Sequence, residues 1–274
     1  MTRLAQTVNG VSMIGDEEGF MPLSAAYPEL ETVDDALRTA ANNDLAIPES
    51  ASGERTSPDN LSFGSPLTEI GKLWGIGLNY AEHASDLDET RPTEPASFMK
   101  PATAVVGPGG PIRLPPEDLT SRVTAEAELG VVIGRSCKGI SKDEADQVIA
   151  GYLPIIDMTA EDILEKNPRY LTRSKSFDSF IVFGSWITTT DEVGSLENVR
   201  VKTTVNGRVN AENTVSNMMT PPHDLVSYHS HVMTLEPGDI ISTGTPGAHV
   251  IRSGDKVKAD VGAVGSVSAH VVQD

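Results

Sequence analysis

The chain has 274 residues, 38% of them hydrophobic, and its 39 acidic against 21 basic side chains give a net charge of −18. That length suits one large domain, or a small domain joined to a larger one. The acidity argues against a nucleic-acid surface, because phosphate backbones reward basic patches. No apolar stretch approaches the roughly 18 residues of a membrane-spanning helix, so neither nucleic acid nor membrane is an expected partner. The N-terminus lacks the apolar run of a signal peptide, and the single Cys137 cannot close an internal disulfide. A reducing, cytoplasmic setting is therefore expected. Sparse lysine and abundant carboxylate also suit a salt-rich cytoplasm.

In chain order, short strands are predicted from Thr7 to Leu23, broken by turns at Gly10, Gly15 and Gly19. Helical spacing follows over Val33 to Asn42, with Thr32 as N-cap. Pro48 to Pro66 is dense in Pro, Ser, Gly, Asn and Asp, a composition that favours an irregular connector. A boundary near residue 70 is expected, separating a small N-terminal α+β domain (1–70) from a larger, mainly β domain (71–274). Apolar runs then predict strands at Leu73–Leu78 and Leu129–Ile133. Ser141 to Tyr152 reads as a helix, with Ser141 and Glu144 forming a capping box. Further strands are predicted at Phe180–Thr188, Val199–Val205, Asp239–Thr243 and Lys256–Val261. Asn206-Gly207 is a hairpin signal between two of the strands.

Glu126 and Glu128 stand two apart at the entrance of an apolar run, so in a strand both carboxylates project from one face. Two like charges that close need a partner if buried. A divalent cation would serve, and an all-oxygen set favours Mg²⁺, Mn²⁺ or Ca²⁺ over Zn²⁺. An isolated pair of this kind is most often a solvated strand face. Asp157, directly after Leu153-Pro154-Ile155-Ile156, supplies a third candidate ligand; its rival reading is an N-cap for 158–164, where Thr159 competes. His83 and Asp86 would lie side by side in a short helix, as a base and its orienting carboxylate, or on a plain solvated face. Lys175 precedes an apolar strand and could stabilise an oxyanion, although a lone lysine is usually a surface residue. Gly244-Thr245-Pro246 ends another strand, where a loop presents hydroxyls and backbone donors. His229 and His231 alternate like one face of a strand. Cys137 carries no nucleophile motif.

Taken together, the segments GLNYAEHASD (77–86), SFMKP (97–101), EAELGVVIG (126–134), GYLPIIDMTAED (151–162), KSFDSF (175–180) and LEPGDIISTGTPG (235–247) resemble the fumarylacetoacetate hydrolase family, in order, over about residues 70–274. The resemblance implies a mixed β-sandwich roll, usually a homodimer, with a variable N-terminal domain. It implies that Glu126, Glu128 and Asp157 hold a metal, usually Mg²⁺, and that His83 is the base of a lid-borne dyad with Asp86, where relatives often carry Glu. Lys175 matches the active-site lysine, and Tyr80, Glu161 and Thr245 fall at substrate-binding positions. One stretch departs from the pattern. Many relatives read D-x-T-A-R-D-x-Q, whereas this chain places Glu161 for the Arg and Leu164 for the Gln. Reversing a charge near the substrate is not conservative.

The expected activity is metal-dependent hydrolysis of a carbon–carbon bond in an acylpyruvate-like or other 1,3-dicarbonyl oxo acid. Decarboxylation, tautomerisation, or dehydration of a 2-keto-3-deoxy sugar acid on the same site is the alternative. A non-catalytic ligand-binding homologue is the reading of another class.

Overall fold

The computed structural model describes residues 2–42, 53–81 and 93–273. The N-terminal strands are β1 (Arg3–Gln6), β2 (Ser12–Gly15) and β3 (Phe20–Pro22). After a helix at Val33–Asn42 come β4 (Leu73–Gly77), β5 (Ala96–Lys100), β6 (Val105–Val106) and β7 (Gly109–Leu114). Two long strands follow, β8 (Val123–Ile133) and β9 (Ile149–Ala160), then β10 (Ile181–Phe183) and β11 (Trp186–Thr189). The chain continues through β12 (Arg200–Val205), β13 (Arg208–Thr214), β14 (Ile240–Ser242) and β15 (His249–Val250). It ends in β16 (Lys256–Val261) and β17 (Gly265–Gln273).

These strands form two sheets. The larger runs β3-β2-β1-β11-β9-β8-β14-β4-β5, with β10, β6 and β15 attached at its sides; the smaller runs β13-β12-β16-β17-β7. Both are mixed: β14 runs parallel to β4, β10 to β6, and β7 to β17. The fold is mainly β, as the composition and apolar runs lead one to expect.

Strand β8 explains how the layers meet. Side chains alternate across a strand, and every residue of β8 is buried. Ala125, Ala127, Leu129 and Val131 share a core with Val201, Val257, Ala259 and Val267 of the smaller sheet. The other face carries Glu126 and Glu128, then Val132, which packs with Leu153, Ile155 and Leu4 in a second core. That second core also takes in Ile14, Val33 and Leu37, and β1 pairs directly with β11 through Arg3↔Thr188.

Local signals set several boundaries. The Thr32 side chain accepts from Asp35 N at 2.9 Å, and the Asp35 carboxylate accepts from Thr32 N at 3.0 Å, capping the helix at Val33. Asn206 and Gly207 both hold positive φ (52° and 80°) at the β12–β13 turn, the conformation a two-residue hairpin needs.

Two expectations are corrected. Ser141 and Glu144 do form the capping box, but the helix is a 3-10 segment ending at Gln147, and residues 149–152 already belong to β9. The reason is tertiary: β9 pairs with β8 along almost its whole length, and Thr189↔Gly151 ties it to β11. A Cβ at Gly151 would come within 2.3 Å of Thr188 O, so only glycine lets that strand through. His229 and His231 lie on the helix Pro222–Val232, not on a strand. His229 is fully buried; its Nδ1 donates to Leu225 O (2.7 Å), its Nε2 accepts from Ser97 Oγ (2.8 Å), and its ring packs 4.7 Å from Trp74.

Candidate metal centre and substrate cavity

The register of β8 against β9 puts Glu126 opposite Asp157 and Glu128 opposite Ile155. Residues two apart share a face, so both glutamates and the aspartate emerge on the same side. One carboxylate oxygen from each can be chosen so that all three lie within 4.8 Å of one another. Their exposures are 6%, 1% and 0%.

Hydrogen bonds fix the carboxylates. Thr159 and Thr124 donate to Glu126 Oε1 at 2.6 and 3.1 Å. Ser242 Oγ and Gly244 N donate to Glu128 Oε2 at 2.6 and 2.9 Å. Gly244 has φ +95° and would place a Cβ 2.9 Å from Ile76 O, so the sharp turn that aims its N–H at Glu128 requires glycine.

Two lysines face the acids. Lys175 donates to Glu126 Oε2 at 3.0 Å and to Asp157 Oδ2 at 3.3 Å, and lies 5.0 Å from the Phe98 ring centroid. Lys100 donates to Asp157 Oδ1 and to the carbonyls of Met158 and Phe180. Three carboxylates against two ammonium groups leave one negative charge in a dry place. That imbalance shifts the proton affinities of the groups. Burial, then the Asp157 charge, pushes the Glu128 carboxyl up to about 8. Burial holds Lys100 below its ordinary value despite Asp157, whereas for Lys175 burial is outweighed by the Asp157 and Glu126 charges and its affinity for protons rises. A buried, all-oxygen, net-negative set is what a hard divalent cation requires, and these residues fit Mg²⁺ or Mn²⁺.

A cavity of about 390 Å³ opens over this floor, a volume suited to a small metabolite. Glu126, Lys175 and Thr245 line its inner end; Phe98 and Ile76 form an apolar wall. The helix Glu161–Lys166 supplies Glu161, Leu164 and Glu165 to the lining.

Of the residues singled out from sequence, Glu126, Glu128, Asp157 and Lys175 meet at the floor. Glu161 and Thr245 line the cavity; the Thr245 hydroxyl donates to Gly247 O at 3.0 Å. Tyr80 is fully buried in the core between the sheets, and its hydroxyl has no hydrogen-bond partner among the described residues; burial, then the Glu128 charge, raises its affinity for its proton. His83 and Asp86 lie outside the described residues.

Lys100 was not anticipated, nor were Thr124, Thr159 and Ser242. One signal for Lys100 existed: in SFMKP it shares a strand face with Phe98, and Met99 between them is the exposed one (39%). A lysine on the apolar face of a strand needs a buried anion.

A buried acidic centre on the larger of two mixed sheets, under a metabolite-sized cavity, makes this a β-rich domain of enzyme type. The model of the fumarylacetoacetate hydrolase C-terminal family matches residues 72–272, and the chain belongs to that family. A protein of Archaeoglobus fulgidus is 40% identical over 195 residues, covering 71% of this chain and 76% of its own. The 2,4-didehydro-3-deoxy-L-rhamnonate hydrolase of a Sphingomonas species is 35% identical over 224 residues, covering 82% and 75%. Among solved structures, the maleylpyruvate hydrolase of Sphingobium sp. SYK-6, in complex with manganese(II) and pyruvate, superposes with a TM-score of 0.78 at 27% identity, covering 99% of each chain. Relatives in the family bear the names of hydrolases, isomerases, decarboxylases and tautomerases. None of the described helices is long and apolar enough to cross a membrane.

Proposed function

We propose that the protein is a divalent-metal-dependent enzyme that cleaves a carbon–carbon bond in an acylpyruvate-like 2-oxo acid. The observation that carries this reading is the convergence of Glu126, Glu128 and Asp157 beside Lys175 at the floor of the cavity. These three carboxylates would hold Mg²⁺, with Mn²⁺ or Ca²⁺ as substitutes. When bound, the ion supplies Lewis-acid polarisation of an oxo acid.

The chain's own groups do the rest. His83, oriented by Asp86, takes a proton from water, and the water oxygen bonds to the carbonyl carbon distal to the oxo acid. The carbon–carbon bond then breaks, with its electron pair leaving on the oxo-acid fragment as an enolate. Lys175 donates to the developing enolate oxygen. Lys100 pairs with Asp157 and holds its carboxylate in place. Phe98 and Ile76 give the reacting atoms an apolar wall, and Thr245 bounds the pocket. The proton held by His83 returns to the enolate carbon, giving a carboxylic acid and a 2-oxo acid. Assembly as a homodimer belongs to the same proposal.

Withholding water from the site leaves enolate chemistry alone: tautomerisation, decarboxylation or dehydration. The variety of names among relatives and the acidic cavity rim make this the second reading. The test is turnover of acylpyruvates, oxaloacetate and 2-keto-3-deoxy acids with Mg²⁺ and with chelator. Two fragments from an acylpyruvate, formed only with metal, support hydrolysis; a lost water, carbon dioxide or an isomer supports the second reading. Silence across the panel in the presence of Mg²⁺ would refute both.

A further inference from the structure

We infer that the outer half of the cavity selects 2-oxo acids whose tail is uncharged and hydroxyl-bearing, and rejects those with a second, distal carboxylate, with Glu161 as the selecting residue. The inference rests on the reading that the floor binds the oxo-acid end through a divalent cation.

At the floor, three carboxylates, two ammonium groups and a divalent cation would sum to one net positive charge, which suits a single substrate carboxylate. Away from the floor the balance is reversed. Glu161, Leu164 and Glu165 have the spacing of one helix face, and all three line the cavity. Among the described lining residues the one cation is Lys175, and it is held at the floor by Glu126 and Asp157. Arg122 pairs with Glu161 at 3.4 Å and with Glu165, but it is not part of the lining. Among the described residues of this face, one guanidinium outside against two carboxylates leaves the rim negative.

Glu161 is the residue placed to read a tail. Its side chain is 23% exposed, whereas that of Glu165 is 66% exposed and is screened by water. Burial, then the Glu126 charge, raises the affinity of the Glu161 carboxyl for protons. Added negative charge is therefore unwelcome there. A carboxylate accepts hydrogen bonds from hydroxyls, and a protonated carboxyl both donates and accepts. Neither form gives a distal carboxylate the cationic fork that such a group needs. Leu164, an apolar neighbour on the same face, offers no donor in compensation.

The experiment is calorimetric binding to the Mg²⁺-loaded protein of three probes that cannot undergo the cleavage: pyruvate, 5-hydroxy-2-oxopentanoate and 2-oxoglutarate. The last two have chains of equal length and differ at the tail. In the wild-type protein the hydroxy acid should bind about tenfold or more tighter than 2-oxoglutarate, since like charges brought together penalise the latter. Glu161→Gln, which keeps shape, should narrow that ratio, and Glu161→Arg should invert it. Equal or tighter binding of 2-oxoglutarate by the wild type, or a ratio that Glu161→Gln and Glu161→Arg leave unchanged, would overturn the inference. Pyruvate separates the two levels. Mg²⁺-dependent pyruvate binding with the wrong tail order sinks this inference alone. No Mg²⁺-dependent pyruvate binding sinks the chelation reading and this inference with it.

Discussion

The floor and the rim of the cavity are built by opposite means. The floor is written into strand register: Glu126 faces Asp157 because β8 and β9 pair over their length, and Lys100 comes from β5 across the sheet. Its charged groups are buried, hydrogen-bonded and nearly balanced. The rim is one short helix, Glu161–Lys166, hung on the end of β9. Its acids are half-buried or exposed. Chemistry fixed by a ladder of backbone hydrogen bonds resists change. A specificity surface on a single turn of helix can change without disturbing it.

The sharpest break of the floor is Asp157→Ala. It would strip both lysines of a common partner, so it should abolish Mg²⁺ binding in calorimetry and destabilise the fold by about 3–5 kcal/mol. Lys175→Met comes next: turnover should fall about 10²–10³-fold, while Mg²⁺ still binds. The metal-free floor should also respond to pH. Glu128 moves from an ordinary value of 4.5 up to about 8 in the fold, so the native state holds a proton that the unfolded chain releases in this range. That stability is fully present below pH 4.5 and is lost as the pH rises through about 8, at up to about 1.4 kcal/mol per pH unit. Melting curves in chelator should fall accordingly, and Mg²⁺ should restore them at the alkaline end, where the carboxylate is ionised. Ser242→Ala removes a donor that favours the ionised Glu128. It should weaken Mg²⁺ about fivefold at neutral pH, the equivalent of roughly 1 kcal/mol. The smallest effect belongs to the rim: Glu161→Gln should leave Mg²⁺ affinity unchanged within about twofold, even while it alters tail preference.

What could be read from the residues alone divides along the same line. Glu126-x-Glu128 before an apolar run showed its shared face because strand periodicity is local. Thr32 and Asn206-Gly207 were legible for the same reason, since caps and two-residue turns are decided by neighbours in sequence. The start of β9 was not: a capping box and an apolar stripe at 141–152 argue for helix, and only pairing with β8 and β11 overrides them. Likewise Lys100 reads as a surface lysine until Asp157, far along the chain, is seen against it. The association of β1 with β11 is equally remote, for nothing near Arg3 announces Thr188. Family resemblance carried the three-carboxylate set further than spacing did, because the Glu pair and Asp157 meet only through tertiary register.

On the proposed reading, the three carboxylates form one divalent-cation site. Anomalous diffraction from crystals soaked in Mn²⁺ tests it most directly. One strong peak bonded by Glu126, Glu128 and Asp157 is expected, with loss of that peak in Asp157→Ala. A floor in which Lys100 and Lys175 alone neutralise the acids, with no peak or a peak elsewhere, would contradict it.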